Sequence, residues 1–263
     1  MRGAETSYFG VCGGRLLRRL GEPPYGRRYG RVRTLNDLAR AGLPVPDGVV
    51  LTEEAHEVFL EASGVVEGVK AAAWKEENPK QKASEIRSRY GSVSMEAELK
   101  REICQALIGL GAPVVTVLKD NYEKRGLKTI PDVIAAVREA WLSADGLKWQ
   151  IERASVGEDI PTWPVLVQRE IRPLYTGWST VERAPIETPW VGDDLRGQKV
   201  VLYDVEPFDE ESPERKGVTR LTLEAASALG AIPRILWGFE GGRWYVLSTE
   251  MVEDEKSVQG RYI

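Results

Sequence analysis

Beyond its carboxylates, this chain has few residues equipped for acid–base or metal chemistry. There is one histidine, His56, and there are two cysteines, Cys12 and Cys104. A single histidine excludes multi-histidine zinc centres and the H-E-x-x-H proteases. Any Ser-His-Asp or Cys-His scheme would have to run through His56 alone. His56 falls on a helical pattern beside Glu53 and Glu57, which reads as a surface histidine. The cysteines have no close cysteine neighbour, so they build neither a metal knuckle nor a disulfide framework, and a reducing cytoplasm is the expected setting. Cys104 reads as core filler on a helix.

Charge narrows the classes further. The chain carries 36 basic and 40 acidic residues, a net charge of −4. That balance opposes a general nucleic-acid coat. The exception is local: from Arg15 to Arg33 there are seven arginines and one acid, Glu22, with Tyr25 and Tyr29 interleaved. Arginine and tyrosine together suit a nucleic-acid arm; the plain reading is a solvated loop and helix face. Ala106 to Leu118, the longest weakly polar run, is broken by Gly109, Gly111 and Pro113 and is too short to span a bilayer. The N-terminus lacks the apolar core of a signal peptide.

The elements that must position any site mix helices and strands, with no internal repeat. Thr34 to Ala41 reads as a short helix stopped by Gly42. Leu43-Pro44-Val45-Pro46-Asp47-Gly48 is a rigid turn in which Gly48 supplies an unusual backbone conformation. Val49–Leu51 is a strand, and Thr52 caps a helix to Ala62 with Gly64 beyond it. Residues 65–95 read as helix plus loop. Glu96–Leu110 is a helix, Val114–Leu118 a strand, and Thr129 opens a helix to Trp141. Pro164–Gln168, Val200–Tyr203 and Arg243–Ser248 are strands, and Thr219–Leu229 is a helix. The expected organisation is an α+β (mixed α/β) chain: an extension over residues 1–27, a helix-rich lobe over 28–160 and a strand-rich lobe over 161–263.

One run is specific. Arg40-Ala41-Gly42-Leu43-Pro44-Val45-Pro46-Asp47-Gly48-Val49-Val50-Leu51-Thr52 resembles the nucleotide-binding segment of phosphoenolpyruvate synthases, pyruvate phosphate dikinases and rifampicin phosphotransferases, which reads A-G-L-P-V-P-x-G-F before a strand and a T-x-x-A helix start. Three further landmarks follow in the same order. Ala136-Val137-Arg138 with Trp141-Leu142-Ser143 is similar to A-V-R-x-x-W-A-S. Val165-Leu166-Val167-Gln168 with Thr176-Gly177-Trp178 is similar to V-x-V-Q and S-G-V. Ile232–Trp237 with Trp244–Met251 is similar to P-x-D-I-E-W and L-Y-x-L-Q-x-R-P. The resemblance implies an ATP-grasp-like fold, two lobes around a nucleotide cleft, with basic side chains on the phosphates and carboxylates on magnesium.

Carried over position by position, the resemblance leaves a depleted site. The family's phosphate-binding lysine lies eleven positions before the glycine of G-L-P-V-P, which is Arg31 here. Gly13-Gly14-Arg15 lies too far upstream. Gln168, Glu170 and Ile171 fall on the adenine hinge, and Arg183 on a basic position before a proline. The V-R-S-S-A phosphate loop has no counterpart; Val114–Asp120 stands in its slot, with Lys119 reading as a solvated strand-end lysine. On the metal side Leu236 and Ser248 replace glutamate and glutamine, and the arginine and proline beyond become Glu250 and Met251. Leucine cannot hold magnesium; Glu240, Glu250 or Glu253 are the remaining acids. ATP is thus the implied ligand, and the implied magnesium has lost its ligands.

Two functions compete. One is a degenerate, stand-alone domain, a pseudoenzyme that binds nucleotide or regulates a protein partner. The other is an active ATP-dependent phosphotransferase working with a separate partner, as Arg31, Gln168 and Arg183 would allow. A nucleic-acid arm at Arg15–Arg33 is a minor third. Trp163, Trp178 and Trp190 are candidates for a partner surface. The chain as given carries neither a phosphohistidine domain nor a pyruvate barrel, so making phosphoenolpyruvate unaided is not expected of it. If the arginine-rich segment is only a solvated face, Arg27→Ala with Arg28→Ala leaves retention on DNA or RNA unaltered at moderate salt. A loss of tight, salt-sensitive retention in that variant supports the arm instead.

Overall fold

The computed structural model describes residues 16–22, 30–74, 78–182, 199–203 and 212–251. Several residues singled out above lie outside these: Cys12, Gly13 to Arg15, Tyr25 to Tyr29, Arg183, Trp190 and Glu253. Inside the arginine-rich stretch, Leu17–Arg19 forms a strand, β1, with Leu17 buried. Helix α1 is Arg31–Arg40, which begins three residues before the expected start. Gly42 takes φ +86 at the turn, and the prolines lead into β2, Gly48–Leu51.

Local chemistry sets the next boundaries. Thr52 caps α2, Glu53–Ser63, by accepting the Ala55 N–H at 3.3 Å. Helices α3, Val65–Ala73, and α4, Pro79–Tyr90, occupy the stretch read as helix plus loop. Glu96 caps α5, Ala97–Leu110, through the Leu99 N–H at 2.9 Å. Strand β3, Val115–Lys119, turns at once into β4, Tyr122–Leu127, a strand with no clear apolar alternation and none expected from sequence. Thr129 caps α6, Ile130–Trp141, and Ser143 precedes α7, Ala144–Ser155. There follow β5, Val165–Arg169; β6, Tyr175–Glu182; β7, Lys199–Tyr203; α8, Pro213–Leu229, capped by Ser212; β8, Pro233–Glu240; and β9, Arg243–Met251. The described residues are therefore a mixed α/β chain with eight helices and two antiparallel sheets. No helix among them is long and apolar enough to cross a membrane.

The chain divides into two compact units. Residues 16–22 and 47–170 form one, and residues 30–46 and 171–251 form the other. In the first unit the sheet runs β1-β2-β5-β3-β4, antiparallel at every pairing. Helix α6 lies against β3, β4 and β5, while α5 lies against β1, β2 and α6. Leu99, Ile103, Val133, Val137, Trp141 and Val167 share one apolar core there, and α7 packs against α3 and α4. In the second unit the sheet runs β7-β6-β8-β9 with α8 across it and α1 beside α8 and β9. The edge of β9 is covered where the Val246 N–H donates to the Pro44 carbonyl at 2.8 Å, so the proline turn blunts an otherwise open strand edge.

Gly48 matters for a different reason from the one its turn suggests. Its φ is not among the positive ones; what it lacks is room. A Cβ at 48 would lie 2.9 Å from the Val167 carbonyl oxygen and 2.9 Å from Leu166 Cδ1. The carbonyl belongs to β5 at the middle of the sheet and cannot retreat without loosening the ladder. Gly48→Ala is therefore expected to destabilise the protein by about 1–3 kcal/mol, the usual cost of overpacking, read as a lower midpoint in denaturant unfolding.

Candidate functional site

The expected site residues are distributed over both units. Gln168 is buried on β5, paired in register with Gly48 and Thr116. Glu170 follows β5 and closes the first unit; Ile171, buried, opens the second. Arg31 is the first residue of α1, half-buried, also in the second unit. The Glu170 carboxylate accepts from the Thr116 hydroxyl at 3.2 Å and from the Gly126 N–H at 2.5 Å. The latter contact falls where the β3–β4 register is broken by a bulge. Its own N–H donates to the Val114 carbonyl at 3.0 Å. Glu170 thus ties β5 to β3 and β4 and satisfies backbone that the bulge would otherwise strand.

Lys119 and His56 both depart from their sequence readings. Lys119 is 5% exposed rather than solvated. Its ammonium donates to the Ala140 carbonyl at 3.1 Å and the Ser143 hydroxyl at 3.2 Å, and lies 4.3 Å from the centre of the Trp163 ring. A carbonyl in the last turn of α6 and an aromatic face are both suited to a cation. Burial lowers the Lys119 pKa to about 8, against the opposing charges of Asp120 and Asp145. With two hydrogen bonds and a ring around it, this lysine packs against α6 and the start of α7.

His56 is fully buried rather than on the surface. It stacks on Trp141 with ring centres 5.1 Å apart and planes 4° from parallel, and Trp163 lies 5.7 Å away. The Trp163 N–H donates to His56 Nδ1 at 3.0 Å, so in the neutral ring the proton belongs on Nε2. Burial, with the Lys119 charge adding to it, holds the His56 pKa well below its ordinary 6.5. The sequence did hold the signal: His56, Phe59 and Leu60 share one helical stripe, and all three are buried.

The remaining candidate surface is a sheet face in the second unit. Ser179 on β6 bonds Thr222 of α8 at 2.7 Å, so odd-numbered β6 positions face α8. Trp178 and Thr180 turn to the opposite face. Register carries that face across the sheet: Trp178 pairs with Leu236, and Leu236 with Ser248; Thr180 pairs with Arg234, and Arg234 with Glu250. The two positions assigned to the metal side are thus cross-strand neighbours. They carry a leucine and a buried serine. The Arg234 guanidinium lies 4.9 Å from the Trp178 ring centre and 3.7 Å from a Glu250 oxygen. Glu240 accepts the Arg172 N–H at 2.5 Å. Among the described residues no three His, Cys, Asp or Glu side chains gather as a metal site. Magnesium wants several oxygen donors, and an alkyl group with one carboxylate already facing a guanidinium does not fit it. From sequence alone Arg234 has no role and Trp178 is a candidate partner surface, because only strand parity places them beside Leu236 and Ser248.

No protein-family model matches the chain. Among curated proteins it is similar to the phosphoenolpyruvate synthase of Aeropyrum pernix, with 30% identity over 136 residues, 47% of this chain and 16% of that protein. The match therefore spans well under two thirds of its relative's length.

The buried histidine sets a pH dependence. Its folded pKa lies below the unfolded value near 6.5, so the unfolded chain takes up the proton first as pH falls. Its contribution to stability is intact above about pH 6.5 and is lost progressively below it. Wild type should show a stability slope of up to ~1.4 kcal/mol per pH unit for this one proton. His56→Gln should flatten the slope between about pH 6.5 and 5, measured by urea titrations across that range.

Proposed function

We propose that the chain is a nucleotide-binding module of the phosphoenolpyruvate synthase and pyruvate phosphate dikinase type, ATP-grasp-like in fold, that engages ATP without magnesium and acts through a protein partner rather than by turnover. The observation that carries the nucleotide reading is the similarity to phosphoenolpyruvate synthase over 136 residues. That reading is joined by the G-L-P-V-P-x-G run, Gly42 to Gly48, which supplies the sheet-edge cover at Pro44 and the Gly48 contact with β5. The case against turnover rests on Leu236 facing Ser248. Metal at a phosphate supplies several kcal/mol of charge stabilisation, and each ~1.4 kcal/mol is tenfold in rate. A face without metal ligands therefore favours binding over transfer. A partner is favoured by large apolar side chains left exposed, Trp74 at 89% and Leu174 at 73%.

Calorimetry tests the reading. ATP binding by the unmodified chain is expected to be weak and the same with magnesium or with EDTA. Leu236→Glu combined with Ser248→Gln places two oxygen donors opposite one another and should make binding magnesium-dependent. Tight, magnesium-dependent binding by the unmodified chain would replace this reading with the active phosphotransferase.

A further inference from the structure

We infer that His56 is a proton-operated latch: neutral, it holds the connection between α7 and β5 onto the core of the first unit; protonated, it releases that connection while the sheet stays folded. The connection covers residues 156–164 and has no regular structure. Four side chains from four elements converge on residues 161–163 to hold it. The Trp163 N–H donates to His56 Nδ1 of α2 at 3.0 Å. The Trp163 carbonyl accepts from the Trp141 indole of α6 at 3.2 Å. The Pro161 carbonyl accepts from the Gln150 amide of α7 at 2.8 Å. The Lys119 ammonium of β3 lies 4.3 Å from the centre of the Trp163 ring. Of these four attachments, only the one to His56 depends on a proton that is taken up below neutral pH.

The closed arrangement has no place for an imidazolium. A proton on Nδ1 would face the Trp163 N–H, donor against donor, and end that bond. Nε2 is buried and has no hydrogen-bond partner among the described residues, so no acceptor stands ready for a positive ring. The charge that acts on the ring is Lys119, of like sign. Other charged groups nearby are engaged elsewhere. Asp120 and Asp145 act on Lys119. On α6, Arg138 donates to the Val93 carbonyl, and Glu139 accepts from Tyr122 and Lys124. On α3, Glu67 and Lys70 are exposed and lie 3.9 Å from one another. On α2 itself, Glu53 is half-buried in the first turn and Glu57 is exposed. His56 therefore gains its proton only when a neighbour moves.

Which neighbour moves follows from what each is built into. His56 sits inside a helix beside buried Ala55 and Phe59, and Trp141 is a fully buried residue of α6. The connection has no such anchorage: residues 155–159 are exposed, and Gly157 takes φ +77. Opening it gives up few apolar contacts, the mark of a segment that opens locally. Once it opens, the imidazole meets water and its ordinary pKa applies. Each pH unit below about 6.5 then shifts the opening equilibrium by up to about tenfold, the effect of one proton. Strand β5 begins at Val165, just beyond, and keeps its own pairing to β2 and β3. The release is thus a local event, separate from the loss of overall stability that the same proton causes.

A pH titration of the full chain by nuclear magnetic resonance tests the latch. The chain has one histidine, so its ring nitrogen signals belong to His56 alone. They are followed together with the backbone amide signal of Trp163, and the exchange protection of the Leu166 and Val167 amides reports on β5. The expected result is that His56 protonation and displacement of the Trp163 signal share one midpoint below pH 6.5, while Leu166 and Val167 stay protected. His56→Gln is expected to hold the Trp163 signal fixed over the same range. Protonation of His56 with the Trp163 signal unmoved overturns the inference. So does a change in His56 and Trp163 that comes only as Leu166 and Val167 lose protection, because the event is then global unfolding. The same Trp163 displacement in His56→Gln overturns it as well. Should His56→Gln not fold, the midpoints in the unmodified chain decide the matter.

Discussion

The first unit depends on how closely β2 can approach β5. Strand β5 lies at the middle of a five-stranded sheet, with β2 and β1 on one side and β3 and β4 on the other. Its pairing with β2 closes onto a glycine, since the Val167 carbonyl stands where any Cβ at position 48 would go. Its pairing with β3 is continued by Glu170, whose carboxylate reaches both Thr116 and the bulge at Gly126. The residue that ends β5 therefore also fixes how β4 joins the sheet. A misplaced β5 would disturb the ladder on both sides, because each flanking pair is built on its register. Burial adds to this: Val165, Leu166, Val167 and Gln168 are all buried, as expected of a strand covered on both faces.

A second constraint is electrical. The unit buries a lysine and a histidine near one another, which costs stability unless each is compensated. Lys119 is compensated by a carbonyl, a hydroxyl and an indole face. His56 is compensated in part by staying neutral, stacked on Trp141 and accepting from the Trp163 backbone at Nδ1, while its buried Nε2 has no hydrogen-bond partner among the described residues. Trp163 serves both groups, giving its ring to the lysine and its N–H to the histidine. The two solutions are coupled: the lysine's charge is one reason the imidazole resists protonation. Gly146 belongs to the same arrangement, since a Cβ there would lie 3.0 Å from the Lys119 ammonium and 2.9 Å from the Ser143 hydroxyl.

Much of the element map was legible because it is written locally. Thr52, Glu96, Thr129 and Ser212 each accept the N–H three residues on, and sequence alone marks three of those four helix starts. What escaped was settled non-locally. Strand β4 carries Tyr122-Glu123-Lys124-Arg125-Gly126 and has no alternating apolar pattern; it is a strand because β3 turns straight back on it and Glu170 holds its bulge. Lys119 looked solvated because its chain neighbours include Asp120 and Asn121, whereas its real neighbours come from α6 and from Trp163. The site was harder to read than the fold for the same reason. Resemblance assigned Leu236 and Ser248 one at a time, but that they oppose one another, with Arg234 and Trp178 alongside, is a property of strand register.

That register bears on what a face without metal donors can do. A magnesium ion at a phosphate can hold several oxygens at once and shift with them as charge develops during transfer. A face without such an ion can hold a ligand only through fixed contacts, which do not shift as charge develops. Interactions equal in ground and transition states tighten binding without accelerating chemistry. On the reading proposed here, a leucine at position 236 facing a serine at 248 would turn a transfer site into a binding site. The sheet would not need to change to do so: the altered face is the one turned away from α8, while Ser179, Trp237 and Val246 on the other face keep the packing that holds the unit together.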